Sequence, residues 1–166
     1  QTALMWAAAE GHPEVVTHLL ARGADTMRRS VQGWTPLLFA AREGRGDVAG
    51  ILLKAGADVE TALPVVKQEK TTNAAAGRSA TGLNAFLLAA ANAHYEVAAL
   101  IADHGADVNN ASRGWTALHQ VSWVRKTGIA GSNNPAPTGS GTMSSLEFAR
   151  KIVNAGADVN ARVTKR

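Results

Sequence analysis

Residues Thr35–Asp58 read Thr-Pro-Leu-Leu-Phe-Ala-Ala-Arg-Glu-Gly, a short polar link, then Asp-Val-Ala-Gly-Ile-Leu-Leu-Lys-Ala-Gly-Ala-Asp. Thr35 suits the N-cap of a helix, because its hydroxyl accepts a hydrogen bond from the first helical turn. Pro36 suits the next position, where a helix needs no N–H donor. Gly44 interrupts the pattern, and Gly56 suits the left-handed residue that follows many helices. The stretch therefore predicts two short helices joined by a turn.

The same pattern recurs four times along the 166-residue chain, each time ending in Gly-Ala-Asp. Its glycines are Gly23, Gly56, Gly105 and Gly156. In every copy the residues eight, seven, four and three positions before the glycine are apolar, which marks one face of a helix. They are Val15, Val16, Leu19, Leu20, Val48, Ala49, Leu52, Leu53, Val97, Ala98, Ile101, Ala102, Phe148, Ala149, Ile152 and Val153. Two helices this short are marginal alone, so the copies are expected to stack on one another.

Several motifs occur in the order typical of a known repeat. They are Glu-Gly-His at Glu10–His12, Thr-Pro-Leu at Thr35–Leu37, Gly-Ala-Asp-Val-Asn at Gly105–Asn109 and Thr-Ala-Leu-His at Thr116–His119. The sequence resembles the ankyrin repeat, whose 33-residue period equals the interval from Gly23 to Gly56. The resemblance implies an all-α repeat solenoid of stacked helix–turn–helix units with connecting β-hairpin loops. It also implies a role in binding other proteins, without naming a partner.

The spacing of the copies predicts one array with two insertions. Gly56 and Gly105 lie 49 residues apart, and the interval from Thr116 to Gly156 is 40 residues. Both intervals exceed those of the regular copies. The predicted order is repeat 1 at 1–29 with its beginning missing, repeat 2 at 30–61, an insertion at 62–79, repeat 3 at 80–110, repeat 4 at 111–162 interrupted by an insertion at about 126–142, and the start of another unit at 163–166.

The two insertions each allow two interpretations. Long irregular loops inside a repeat array tend to be either functional or flexible. The first insertion is a flexible surface loop or a finger that contacts a partner. The second is rich in glycine, serine, asparagine and proline, which favours mobility, yet Trp123 and Ile129 are able to pin it to the scaffold. Both ends of the chain lack a polar-faced capping unit, so we expect a segment of a longer protein.

The amino-acid composition limits the classes of function that fit this chain. The chain has 17 basic and 13 acidic residues, a formal charge of +4 and no cysteine. The basic residues are spread over several units, which is typical of a solvated surface and does not favour nucleic acid as a partner. No apolar run approaches the roughly 20 residues of a membrane span.

Catalytic and metal-binding patterns are not found. The five histidines show no metal-ligand spacing. The glycine-rich run Thr138–Thr142 lacks the lysine of a phosphate-binding loop. Ser144 and Glu147 are interpreted as the cap of a helix. We therefore expect no enzymatic activity, no cofactor and no metal.

The family resemblance implies a partner-binding face formed by the loop tips and the outer positions of the first helices. Carried onto this chain, that face comprises Val31, Gln32, Trp34, Arg42, Glu43, Leu83, Asn92, Arg113, Trp115, Trp123 and Val124. Tryptophan and arginine are enriched among residues that dominate binding energy. Alternatively, the indoles pack against neighbouring loops. A second functional hypothesis is head-to-tail self-assembly through uncovered apolar end faces.

Overall fold

The computed structural model describes residues 1–65, 82–124 and 138–163. These residues form eight α-helices and one short 3-10 turn at Ser112–Gly114. The helices are α1 (Ala3–Glu10), α2 (Pro13–Ala21), α3 (Pro36–Arg42), α4 (Gly46–Lys54), α5 (Ala85–Ala91), α6 (Tyr95–Asp103), α7 (Ala117–Val124) and α8 (Ser145–Asn154).

The helices stack in two layers. The first helix of each pair packs against the first helix of the next, in the order α1, α3, α5, α7. The second helices follow the same order, α2, α4, α6, α8, and each packs against the first helix of its own pair. The predicted all-α repeat solenoid is confirmed.

The helix starts predicted at Thr35 and Ser144 are confirmed. The hydroxyl of Thr35 accepts a hydrogen bond from the N–H of Leu38, and the Asn84 side chain does the same for Leu87. Ser144 forms the capping box, since its hydroxyl accepts from the N–H of Glu147 while the Glu147 carboxylate accepts from the N–H of Ser144. Each cap satisfies donors that a helix leaves unpaired at its start.

The repeated apolar face is the core of the array. Val48, Ala49, Leu52 and Leu53 of α4 are all buried. In the outermost helices the same face is partly uncovered: Val15 of α2 is 48% exposed and Val153 of α8 is 39% exposed. On α4 this face is buried because α2 packs on one side and α6 on the other.

The connecting loops contain no strand in the part of the chain that the structure describes. Ala62 and Asn84 form a single antiparallel bridge. The loop before α3 is instead a tight turn, in which Ser30 donates its N–H to the carbonyl of Trp34 at 2.8 Å.

A ladder of hydrogen bonds joins successive loops along the array. The residue two positions after each Gly-Ala-Asp aspartate accepts from the backbone N–H of the aspartate in the next loop. The pairs are Asp58 N–H to Met27 Sδ at 3.4 Å, Asp107 N–H to Glu60 Oε1 at 2.7 Å and Asp158 N–H to Asn109 Oδ1 at 2.7 Å. The loops are therefore held in register by side chains.

Candidate partner-binding face

Trp34 is the centre of an aromatic and guanidinium cluster at the start of α3. Its half-buried ring stacks on buried Phe39, with the ring centres 5.0 Å apart and the planes inclined by 28°. The guanidinium carbon of Arg42 lies 4.7 Å from the Trp34 ring centre and 5.2 Å from that of Phe39. Phe39 and Arg42 are three residues apart on α3, so both reach the same side of the helix. The indole is thereby held in one orientation.

Glu43 completes this cluster. Its carboxylate lies 2.6 Å from Nε of Arg42, and the two side chains are 38% and 40% exposed. An ion pair this open to water adds little to stability. It does fix the direction of the guanidinium, which already lies over two aromatic rings.

The loop tip beside Trp34 projects from the array on a well-defined turn. Val31 is 99% exposed and Gln32 is also exposed. Gly33 closes the turn with a φ of +85°, a conformation that suits glycine. The hydroxyl of Ser30 accepts a hydrogen bond from the N–H of Trp34 at 3.1 Å. The apolar tip at Val31 is thus presented by a turn that is hydrogen-bonded on itself.

Trp115 occupies the position equivalent to Trp34, directly before the residue that opens a first helix. It follows the 3-10 turn Ser112–Gly114 and is half-buried. Its ring meets the His119 ring edge-on, with centres 6.0 Å apart. His119 in turn lies 2.8 Å from the Thr116 hydroxyl through Nδ1. Nδ1 of His119 also accepts from the Thr116 N–H at 3.2 Å, so this side chain contacts the residue before α7.

Two residues of the predicted face, Leu83 and Asn92, are less open to solvent than the tip at Val31. Leu83, predicted to belong to this face, is only 8% exposed, so little of its side chain is open to a partner. The reason is the backbone pairing of Leu63 with Leu83, at 3.0 Å, which lays the preceding loop against this position. Asn92 is half-buried and donates from Nδ2 to the Leu88 carbonyl at 2.8 Å, which helps to end α5.

Part of the predicted face lies outside the described residues. The side chains of Arg113, Trp123 and Val124 belong to that part. Residues 66–81 and 125–137, which include most of both predicted insertions, also lie outside the described residues. We call residues 138–143 the strap; it begins with the described end of the second insertion, which was predicted at about 126–142.

The strap packs on the turns between helices, which sequence reasoning did not predict. The Ser140 N–H donates to Nδ1 of His94 at 3.0 Å, and the Ser140 hydroxyl donates to the Gly44 carbonyl at 3.1 Å. A Cβ on Gly139 would overlap the Ala93 carbonyl oxygen, and one on Gly141 would overlap the Glu96 carboxylate. The glycines of Thr138–Thr142 therefore permit close approach to the array. That glycine-rich run was the available sequence signal.

Residues 1–62 match the family model described as ankyrin repeats (3 copies). Residues 1–62 are ankyrin repeats. The later helix pairs α5–α6 and α7–α8 continue the same stacking beyond the matched residues. No curated protein matches the sequence.

Ankyrin repeats are generally protein–protein interaction modules and are typically not enzymes. Among the described residues of the chain, no group of three or more His, Asp or Glu side chains is placed to hold a metal ion. Within the same residues, no helix has the length and apolar character needed to cross a membrane.

Proposed function

We propose that this chain binds another protein through the face that carries Trp34 and Trp115. The described part of that face also includes Val31, Gln32, Arg42, Glu43 and Asn92. The proposal extends to Arg113, Trp123 and Val124 on the strength of their sequence positions. The observation that carries it is the placement of two half-buried tryptophans at the same position of two repeats, one of them fixed beneath an arginine.

The Trp34 cluster has the properties of a binding hot spot. Trp and Arg are enriched at such sites because they offer large contact areas together with polar groups. Phe39 and Arg42 already hold the indole in place. A partner would therefore meet a preorganised surface and little ordering entropy would be lost on binding.

The spacing of the tryptophans indicates how much surface a partner covers. Neighbouring packed helices lie about 8–10 Å apart. Trp34 stands before α3 and Trp115 before α7, with α5 between them. The two indoles are thus separated by roughly 20 Å, two helix spacings, along the array. A partner that contacts both must span three helix pairs.

Affinity capture from a lysate of the source organism tests this proposal. The baits are the wild-type chain, the double variant Trp34→Ala/Trp115→Ala and a matched control, Trp6→Ala. Trp6 is 59% exposed on α1 and lies outside the proposed face. We expect a protein retained by wild type and by the control but not by the double variant. Equal retention by all three baits would contradict the proposal.

Self-assembly is a second candidate, favoured by the exposed apolar residues of the outer helix pairs. Trp6 and Val15 are 59% and 48% exposed on one side, and Leu146 and Val153 are 52% and 39% exposed on the other. Two different surfaces that fit each other give head-to-tail growth. Sedimentation velocity over a range of concentrations tests this, with Val15→Glu as the interrupting variant. A single, concentration-independent monomer boundary would contradict self-assembly.

A further inference from the structure

The hydrogen bonds of His94 define which ring nitrogen carries its proton. The backbone N–H of Ser140 can only donate, so Nδ1, 3.0 Å away, must accept. The carbonyl of Arg42 can only accept, so Nε2, 2.9 Å away, must donate. Both bonds exist together only in the neutral ring with its hydrogen on Nε2. A second proton would bind at Nδ1 and point at the Ser140 N–H.

Glu96 supplies the second attachment of the strap. One oxygen, Oε1, accepts from the Thr142 N–H at 2.7 Å, the Thr142 hydroxyl at 3.0 Å and the Met143 N–H at 3.1 Å. These bonds, led by that of the Thr142 backbone, lower the pKa of Glu96 below its ordinary value of 4.5. Glu96 therefore stays ionised over the range in which a histidine titrates.

The charges around His94 come from the array and not from the strap. Glu43, at the end of α3, favours protonation of the ring, whereas Arg45, in the following turn, opposes it. Arg42 contributes its carbonyl, and its guanidinium is paired with Glu43. Glu96 lies two residues further along on the helix of His94. Residues 138–143 contain no charged side chain. The strap thus cannot compensate a charge that forms on the ring.

We propose that His94 is a proton-operated clamp, which holds the strap on the helix turns when neutral and releases its Ser140 end when protonated. Release uncovers the Gly44 carbonyl and the edge of the imidazole, both of which Ser140 covers in the clamped state. Met143 and Thr142 remain tied to Glu96, so the strap opens from its Ser140 end. The clamp does not depend on a bound partner.

The environment of the ring sets the direction of the response. Burial is the largest influence, and it lowers the pKa of His94 from its ordinary 6.5. The clamp is therefore closed at neutral pH, where the ring is neutral, and opens when the pH falls far enough to protonate it. Histidine is the side chain whose charge normally changes in this interval.

A single nitroxide label on the strap tests the clamp. The chain has no cysteine, so Thr138→Cys on the exposed start of the strap gives one labelling site. Lys54→Cys, at the end of α4, reports on the array itself. We expect the ratio of mobile to immobile spectral components at the strap site to rise roughly tenfold between about pH 7.5 and pH 5, the scale of one lost hydrogen bond. The label at position 54 should not respond.

Three variants separate the clamp from a general effect of acid. His94→Gln can place its amide nitrogen near the position of Nε2, where it donates to Arg42, but has no acceptor at the position of Nδ1, so the strap should be mobile at both pH values. His94→Asn places an amide oxygen near the position of Nδ1 and does not titrate, so the strap should stay immobile at both. His104→Gln, at an exposed histidine whose Nδ1 lies 2.9 Å from the Leu100 carbonyl of its own helix, should behave as wild type. A wild-type strap that is equally immobile at both pH values, or a His94→Asn variant that responds like wild type, would overturn the proposal.

Discussion

The carboxylate of Glu60 accepts the backbone N–H of Asp107 at 2.7 Å and so joins the loop after α4 to the loop after α6. The other oxygen of Glu60 accepts from the side-chain amides of Asn84 at 3.1 Å and Asn110 at 3.2 Å. A single side chain therefore fixes the stacking at the position where residues 62–79 were predicted to be inserted. Bonds to an ionised acceptor are among the stronger ones in proteins.

We expect Glu60→Ala to lower the free energy of unfolding by about 1–3 kcal/mol, because it removes a charged acceptor from three donors. Urea denaturation followed by circular dichroism measures this. Glu10→Ala is the matched control, since Glu10 is exposed at the end of α1. Equal denaturation midpoints for the two variants would show that the Glu60 bonds do not stabilise the array.

Met27 makes the longest hydrogen bond of the ladder, and replacing it with a better acceptor should stabilise the protein. Its sulfur accepts the Asp58 N–H at 3.4 Å, whereas Asn109 accepts the equivalent bond at 2.7 Å and also donates to the Gly156 carbonyl. We expect Met27→Asn to raise the free energy of unfolding by about 0.5–1 kcal/mol. Met27→Ala, which supplies no acceptor, is the control. If Met27→Asn were no more stable than Met27→Ala, the hydrogen bond to the Asp58 N–H would not contribute to the stability of the array.

The local features of the fold were predictable because their causes lie within a few residues. Thr35, Asn84 and Ser144 cap helices by bonding to the N–H three positions later. Gly56 has a φ of +86°, as expected for a residue that ends a helix. Such chemistry can be recognised in a short stretch of sequence.

Contacts between distant residues were not predictable in the same way. Leu83 stands at the position of Trp34 in its repeat, yet the loop at Leu63 covers it. Ser140 and His94 are 46 residues apart, and no local pattern pairs them. The candidate site is therefore only partly readable from sequence: position in the repeat indicates which residues share a face, but not what packs over them.

The glycines of the strap offer a steric test of its docking. We expect Gly139→Ala to displace the strap, because the added methyl group would overlap the Ala93 carbonyl oxygen. The amide protons of Ser140 and Thr142 should then exchange with solvent about tenfold faster, as follows from the loss of a hydrogen bond. Hydrogen exchange followed by NMR measures this.

Gly23→Ala provides the control for the strap variant. Gly23 has a φ of +82° and no atom within 4 Å of an added Cβ, so alanine there strains the backbone and touches nothing. It should cost about 1–2 kcal/mol of stability while leaving exchange at Ser140 unchanged. If Gly139→Ala also left exchange at Ser140 unchanged, the close approach of the strap would be refuted.

His94 should make stability depend on pH with a defined sign. Burial lowers the pKa of His94 in the folded chain, so the unfolded chain binds this proton more readily. Neutral His94 makes its full contribution to the free energy of unfolding above about pH 6.5, the ordinary pKa of a histidine side chain. That contribution is lost as the pH falls through the lower pKa of the folded chain. The stability difference between wild type and His94→Asn should therefore shift in favour of the variant on acidification. Urea titrations at several pH values measure it, and a constant difference would exclude the linkage.

The dissociation constant of Trp115→Ala for a captured protein tests most directly whether the tryptophan-bearing face binds a partner. We predict binding weakened at least about tenfold, as expected for a residue that contributes more than 1 kcal/mol at an interface. The far-UV circular dichroism should be unchanged, and Trp6→Ala should bind as wild type does. Wild-type affinity in a correctly folded Trp115→Ala variant would contradict the assignment of this face.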